Sequence, residues 1–393
     1  MGQPGEIRES DVSDAERKLF ADVNAFAFEK VNTAAASWSV GGSPDASLFL
    51  EAAGLGLTGI EVAAEHGGRG FGYTTKLKVF TLLAQADFGF ALSLVNSHNV
   101  AARLAQSAPL SLRKRFLPGL LDGSLSACTA LSEPGAGSDF AAITTTAAKV
   151  SGGWLIDGEK SWIVNARHAG VAIIFVQTLQ AGAGDPKGIG AFVVDLTAAG
   201  VERYAIDSAF SQTSIGSGGI HLNKVKVTDE HLLLPPGKAF KLILNEINGA
   251  RIYVAGMCNG MLQAAIEQVK AYGATRHTFG EPLQNHSIWS DAVNKAETDL
   301  HESEASVAEA AACIDRQEDV QLAAINAKIH AVQLCQRHLP GMLHAMGAEG
   351  LKTDYCFTRH IAASQIAGFT DGATWLLQAR AEKLQQQTNQ RTD

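Results

Sequence analysis

The spacing of apolar residues changes character twice along this 393-residue chain, and few architectures accommodate both changes. From about residue 13 to 120 the repeat is helical, as in "AERKLFADVNAFAFEKV", and "LSLRKRFLPGLLDG" closes the stretch with proline and glycine breakers. After residue 125 the runs become short and strand-like. "VAIIFVQT", "GAFVVDL" and "HLNKVKVTD" are separated by glycine-rich loops, and "WLIDGEKSWIVN" is two alternating runs about Asp157-Gly158, a strong hairpin signal. Beyond "LLPPGKAF" helical spacing returns: Leu262, Ile266 and Val269 fall at i, i+4 and i+7, and "DAVNKAETDLHESEASVAEAAACI" adds a mixed-charge outer face. An α, then β, then α succession predicts separate layers rather than a Rossmann sheet, in which strand and helix alternate. The expected fold class is mainly α with a central β domain. Its divisions are a helical domain over 1–124, a β domain over 125–236 and a helical bundle over 237–393.

Charge and motifs narrow the function classes. With 32 basic against 40 acidic residues the formal net charge is −8, and no lysine and arginine stripe could track a run of phosphates, so nucleic acid is not an expected partner. The start, "MGQPGEIRESDVSDAERKLF", lacks the basic end and apolar run of a signal peptide, and Glu6 stands where a myristoylation signal has Ser or Thr. No apolar run reaches the roughly 20 residues needed to cross a bilayer. A soluble cytoplasmic protein without a membrane partner is expected. The five cysteines, Cys128, Cys258, Cys313, Cys335 and Cys356, are scattered without a C-x-x-C pair, and neither a metal site nor a disulfide framework is expected. "GLGLTG" at 54 to 59 has dinucleotide-motif spacing but follows the helix-like "DASLFLEAA", which favours a close-packed loop.

Two stretches carry chemistry. In "ACTALSEPGAGSDFAAI", Pro134, Gly135 and Gly137 form a tight turn whose N–H groups can approach an anion or the edge of a flat ring. Ser132 and Ser138 add hydroxyls. A bare linker at a domain boundary has the same composition, and both readings stay open here. In "GEKSWIVN" a period of two puts Trp162 and Val164 on one strand face, an aromatic and an apolar wall beside that loop. Near the C-terminus, "AGFTDGATW" holds one carboxylate, Asp371. Asp-Gly is a common turn dipeptide, so Asp371 is either a turn residue or a base.

Together these residues resemble the acyl-CoA dehydrogenase family of FAD-dependent flavoproteins over nearly the whole chain. "ALSEPGAGSD" is similar to the family's T-E-P-x-A-G-S-D, "GEKSWIVN" to G-x-K-x-W-I-T-N, "RHTFGEPL" to R-x-x-F-G-x-P-L, and "EVAAEHGGRGFG" to P-E-E-Y-G-G-x-G. "LNKVKVTDEHLL" is similar to the strand closing the family's β domain. The resemblance implies a helical domain, a β-barrel or sandwich and a four-helix bundle, with FAD between the β domain and the bundle of a homodimer or homotetramer. It implies that Thr129, Leu131 and Ser132 line the flavin and that Trp162 and Val164 face its ring. Ser138 then lies near the pyrophosphate or the substrate. Arg276 and Phe279 reach the FAD of a second subunit, and Ser287, His344, Gly347 and Ala348 occupy its adenine-side positions. Asp371 falls on the family's catalytic glutamate, followed by Gly372 at the thioester and by Ala373, Thr374 and Trp375 at the cofactor. Arg251 falls near that carboxylate, supporting its charge or orienting substrate. The implied reaction removes an α-proton from an acyl thioester while a β-hydride passes to flavin N5. A desolvated pocket would lift such a base toward neutrality, and the neighbours Phe369, Ala373 and Trp375 are apolar enough to supply one.

The pattern departs from the family at the site itself. Asp371 replaces Glu, which shortens the side chain by roughly 1.5 Å. Val164 and Ser132 replace Thr, Ser287 replaces Gln, His344 and Ala348 alter Q-x-x-G-G, and Ala362 and Ala363 replace an Arg-Asp pair. Such changes point toward specialised metabolism, with a thioester on CoA or on an acyl or peptidyl carrier protein. The implied electron acceptor is an electron-transfer flavoprotein or oxygen. Three alternatives stay open: a flavin monooxygenase on the same fold, oxidation of a carrier-bound hydroxyacyl group, and a module that has lost activity.

Overall fold

The computed structural model describes residues 12–38, 42–178, 185–206, 208, 210 and 213–392. The first helix, α1 (Asp14–Phe26), starts at a capping box in which Glu16 N donates to Ser13 Oγ and Ser13 N donates to the Glu16 carboxylate at 2.9 Å. It passes through a π turn, Ala27–Val31, into α2 (Asn32–Trp38). Then come α3 (Ala46–Gly54), α4 (Tyr73–Ala86), α5 (Phe88–Ser107) and α6 (Leu110–Leu121). Pro118 lies within α6, which ends only at Leu121, so the breaker acts one turn later than its position suggests. In "GLGLTG", Gly54 ends α3, Gly56 turns at φ 78°, and a Cβ on Gly59 would meet Leu121 at 2.6 Å, which is the close-packed loop expected.

The β region contains β1 (Ala127–Ala130), β2 (Thr146–Val150), β3 (Gly153–Ile163), β4 (Val171–Thr178), β5 (Ile189–Asp195), β6 (Val201–Ala205), β7 (Gly218–Val227) and β8 (Leu232–Leu234). Their order is β6-β7-β3-β2-β4-β5-β8, with β1 parallel to β4. Buried on both faces, β4 sends Val171, Ile173 and Phe175 toward α5 and α6, and Ala172, Ile174 and Val176 into the opposite core. The expected hairpin at Asp157-Gly158 is not there. β3 runs straight through it, and the reversal between β2 and β3 lies at Ser151-Gly152. Asp157-Gly158 instead faces a bulge that gives β7 one extra residue: Lys224 takes φ 49°, and its N–H donates to the Asp157 carboxylate at 3.2 Å.

The chain then enters α7 (Ala239–Thr275), whose 37 residues span roughly 55 Å at the helical rise. A short hairpin, β9 (His277–Thr278) and β10 (Glu281–Pro282), leads to α8 (Ser287–Asp315), α9 (Gln321–Ala345), α10 (Phe357–Ala367) and α11 (Thr374–Thr392). The helices α7, α8, α9 and α10 form a bundle with α11 against α9, and α4 packs on α7. Among the described residues no helix is long and apolar enough to cross a membrane, and no three His, Cys, Asp or Glu side chains are grouped to hold a metal ion.

Candidate active site

Between α10 and α11 the chain makes a tight turn closed by Thr374, whose N–H and hydroxyl both donate to Gly368 O at 3.0 Å. Asp371 sits in the left-handed region at φ 54° and Gly372 follows at φ 113°, so the dipeptide is a genuine turn. Groups from three other elements grip its backbone. Arg251 of α7 donates from Nε to Asp371 O at 3.1 Å and is itself held by Asn248 at 2.8 Å. Lys328 of α9 donates from Nζ to Gly372 O. The Ala373 N–H donates to Ser138 Oγ at 3.3 Å, joining this turn to the glycine-rich loop of the β region.

The Asp371 carboxylate is treated differently. Among the described residues no hydrogen bond reaches it; burial pushes it above the usual carboxylate range, and the charges of Lys328 and Arg251 pull it back only in part. Buried Tyr253 of α7 lies close enough that the Asp371 charge adds to burial in raising its phenol. The expected apolar shield is not formed by these neighbours: Phe369 and Trp375 are 76% and 85% exposed and turn outward.

The second half of the site hangs on a buried ion pair. Lys160 Nζ donates to the Glu133 carboxylate at 2.7 Å and to Leu131 O at 3.1 Å, while Glu133 accepts from Thr144 N, Thr144 Oγ1 and Thr145 N at 2.6, 2.8 and 3.0 Å. That fixes the glycine-rich loop on β3, which Ser161 N reinforces by donating to Ser132 O at 3.0 Å. Thr129 is set by its own N–H, which donates to Asn96 Oδ1 of α5 at 3.0 Å. Trp162 and Val164 do not share a regular strand face. A second bulge between Lys160 and Ile163 puts Trp162 at φ 59°, where its indole stands 63% exposed, while half-buried Val164 packs toward the helical core. Asn165 anchors the end of the segment, donating to Ser93 O and Ala127 O at 2.8 and 2.9 Å.

Three consecutive family descriptions match this chain: Acyl-CoA dehydrogenase, N-terminal domain over residues 13–124, middle domain over 128–225 and C-terminal domain over 237–379. The chain belongs to the acyl-CoA dehydrogenase family. It is 25% identical over 350 residues to the mitochondrial isobutyryl-CoA dehydrogenase of Dictyostelium discoideum, covering 88% of this chain and 83% of that one. The butyryl-CoA dehydrogenase of Megasphaera elsdenii shares the fold with a TM-score of 0.89 at 23% identity, over 95% of this chain and 98% of that one. A structure of PigA with FAD and proline gives 0.87 at 18% identity, over 95% and 97%. As an acyl-CoA dehydrogenase family member the chain is an FAD-dependent oxidoreductase, and its residues fit that cofactor. An exposed indole offers a flat face, and no atom lies within 4 Å of where a Cβ on Gly135 or Gly137 would sit, which leaves room against the loop backbone.

A further group of expected cofactor residues gathers at the other end of the bundle. Trp289 Nε1 donates to Ala345 O at 3.0 Å and its ring packs on Gly273, tying the start of α8 to the ends of α9 and α7. Around that joint lie Arg276, Phe279, Ser287, His344, Gly347 and Ala348, and Arg276 adds its charge to Lys352 in holding Glu349 low. Phe279, at φ 51°, is 97% exposed. Lys328 and His344 are 16 residues apart on α9, roughly 24 Å of helix, so within one chain this group stands apart from Asp371.

Sequence reasoning missed Lys328 and the ion pair of Glu133 and Lys160. The signal for Lys328 was available: it interrupts the apolar stripe of Ala324, Ile325, Ala331 and Val332 at helical spacing, and a lysine there must be paired.

Proposed function

We propose that this protein dehydrogenates an acyl thioester, with Asp371 as the base that takes the α-proton. The observation that carries this reading is a carboxylate raised by burial, bare of donors, on a backbone fixed from α7, α9 and the β-region loop. A base must be free to accept a proton, and a carboxylate already saturated with hydrogen bonds is a poor one. Bound FAD supplies the two-electron acceptor for the hydride that leaves the β-carbon. Thr129, Leu131, Ser132, Trp162 and Val164 would border its ring, with Ala373, Thr374 and Trp375 beside them. Arg251 supports the negative charge of Asp371 before proton transfer, and the Gly372 region borders the thioester. The exposed group of Arg276, Phe279, Ser287, His344, Gly347 and Ala348 would serve the FAD of a second copy, which calls for a homodimer or homotetramer. Asp is one methylene shorter than Glu, and the turn that carries it is fixed by hydrogen bonds to the carbonyls of residues 371 and 372.

The test is anaerobic mixing of the FAD-loaded protein with a panel of CoA and carrier-protein thioesters, following flavin absorbance and product mass. Bleaching with a desaturated product is expected from at least one thioester, and Asp371→Asn should stay yellow without bleaching. Normal flavin reduction by Asp371→Asn overturns the assignment. Reoxidation by an electron-transfer flavoprotein or by oxygen then identifies the acceptor class.

A further inference from the structure

We propose that Lys328 is a positioning residue for Asp371: it orients the peptide that follows the carboxylate and brings a buried positive charge to that turn. The inference rests on reading Asp371 as the base. The peptide between Gly372 and Ala373 is held at both ends, its carbonyl accepting from Lys328 Nζ and its N–H donating to Ser138 Oγ at 3.3 Å. In a trans peptide these two groups point in opposite directions. Lys328 on α9 and Ser138 on the β-region loop therefore fix one plane from opposite edges, and rotating that plane breaks both bonds. The preceding carbonyl is held by Arg251 at 3.1 Å. Two cations on successive carbonyls keep Asp371 at φ 54°, a region few non-glycine residues occupy.

Lys328 is fully buried, and an ammonium has three donors, whereas among the described residues one acceptor, Gly372 O, meets it. Its charge is answered by Asp371. Burial pushes the ammonium down to about 8; the Asp371 charge and then Cys258 of α7 oppose that shift, and Arg251 of α7 adds to it. Arg380 of α11 acts behind Arg251. A lysine whose role was only to fill space would be cheaper as methionine.

The test compares wild type with Lys328→Met, both FAD-loaded, by thioester kinetics and by carboxyl carbon NMR titration of Asp371. Expected are a kcat at least tenfold lower, a KM within about threefold, and an Asp371 midpoint displaced upward by about one pH unit, since the positive charge that favoured the carboxylate is gone. A folded, yellow Lys328→Met with wild-type kcat and wild-type Asp371 titration overturns the proposal. A second measurement does not depend on that variant folding: the Lys328 ammonium, followed by NMR in wild type and in Asp371→Asn, should titrate lower in Asp371→Asn. An unchanged Lys328 midpoint overturns the proposal as well. Normal flavin reduction by Asp371→Asn sinks the base assignment instead, and the lysine titrations read the coupling separately.

Discussion

Two carboxylates in this molecule, buried Glu133 and half-buried Asp371, each stand by a buried lysine, and they are treated in opposite ways. Glu133 collects four hydrogen bonds, from Lys160, from the Thr144 N–H and hydroxyl and from the Thr145 N–H, and Lys160 leads in holding it at about 2 against its burial. Among the described residues Asp371 collects none; burial pushes it up, although the charges of Lys328 and Arg251 pull it back in part. The lysines are alike: both are fully buried and both are drawn down to about 8. What separates structure from chemistry is therefore the count of donors on the carboxylate. In one region every acceptor site is used to fix a loop; in the other the donors go to the backbone and the carboxylate is left free.

That contrast breaks most sharply at Asp371 itself. Replacing Asp371 by Asn should lower flavin reduction by about 10²- to 10⁴-fold, the usual worth of a general base, while the flavin spectrum stays intact in a stopped-flow trace. Replacing Glu133 by Ala should unfold rather than inactivate. It strands Lys160 without a counter-charge, and about 3–5 kcal/mol should be lost in urea titration.

Acid titration sharpens the contrast through its sign. Glu133 lies below its ordinary value, so its contribution is present above about pH 4.5 and is lost as pH falls toward about 2. Burial holds His98 at about 4 and His360 at about 3, so stability falls as pH drops from about 6.5 through those values, because unfolding lets both take up protons. Asp371, raised on folding, contributes in the opposite direction: its favoured protonated form is lost as pH rises. Urea midpoints measured from pH 7 to 3 should fall less steeply in Glu133→Gln at the acid end, and Asp371→Asn should be at least as stable as wild type at pH 7. The smallest effect is expected from Ser138→Ala, which removes one neutral hydrogen bond at 3.3 Å and should cost about 0.5–1.5 kcal/mol while slowing turnover only a few-fold.

Where a property was local, the sequence carried it. Helical and alternating spacing gave the α, β, α order, and local composition marked the glycine-rich loop at 132–138 and the Asp371-Gly372 turn, whereas Arg251 carried no motif of its own and was placed only by the family resemblance. Where a property depended on a distant partner, the sequence misled. Asp157-Gly158 has hairpin composition, yet its carboxylate caps a bulge in β7, 67 residues away. Trp162 has the phase of a strand face, and only the register against β7 reveals the bulge that turns it out. Phe369 and Trp375 are apolar but exposed, since burial is decided by what packs alongside. Lys328 meets its acceptor 44 residues further along, and no local motif encodes that distance.

The left-handed turn also limits which residues position 371 can accept. Aspartate and asparagine are among the few side chains that settle there readily, since a short polar group tolerates a backbone that crowds longer or branched ones. A glutamate introduced at 371 would gain reach and meet conformational resistance, so the longer acid is not automatically the better catalyst in this scaffold. A saturation library at this codon would then sort by backbone preference before it sorts by acidity, and aspartate is the one residue that ranks well on both scales.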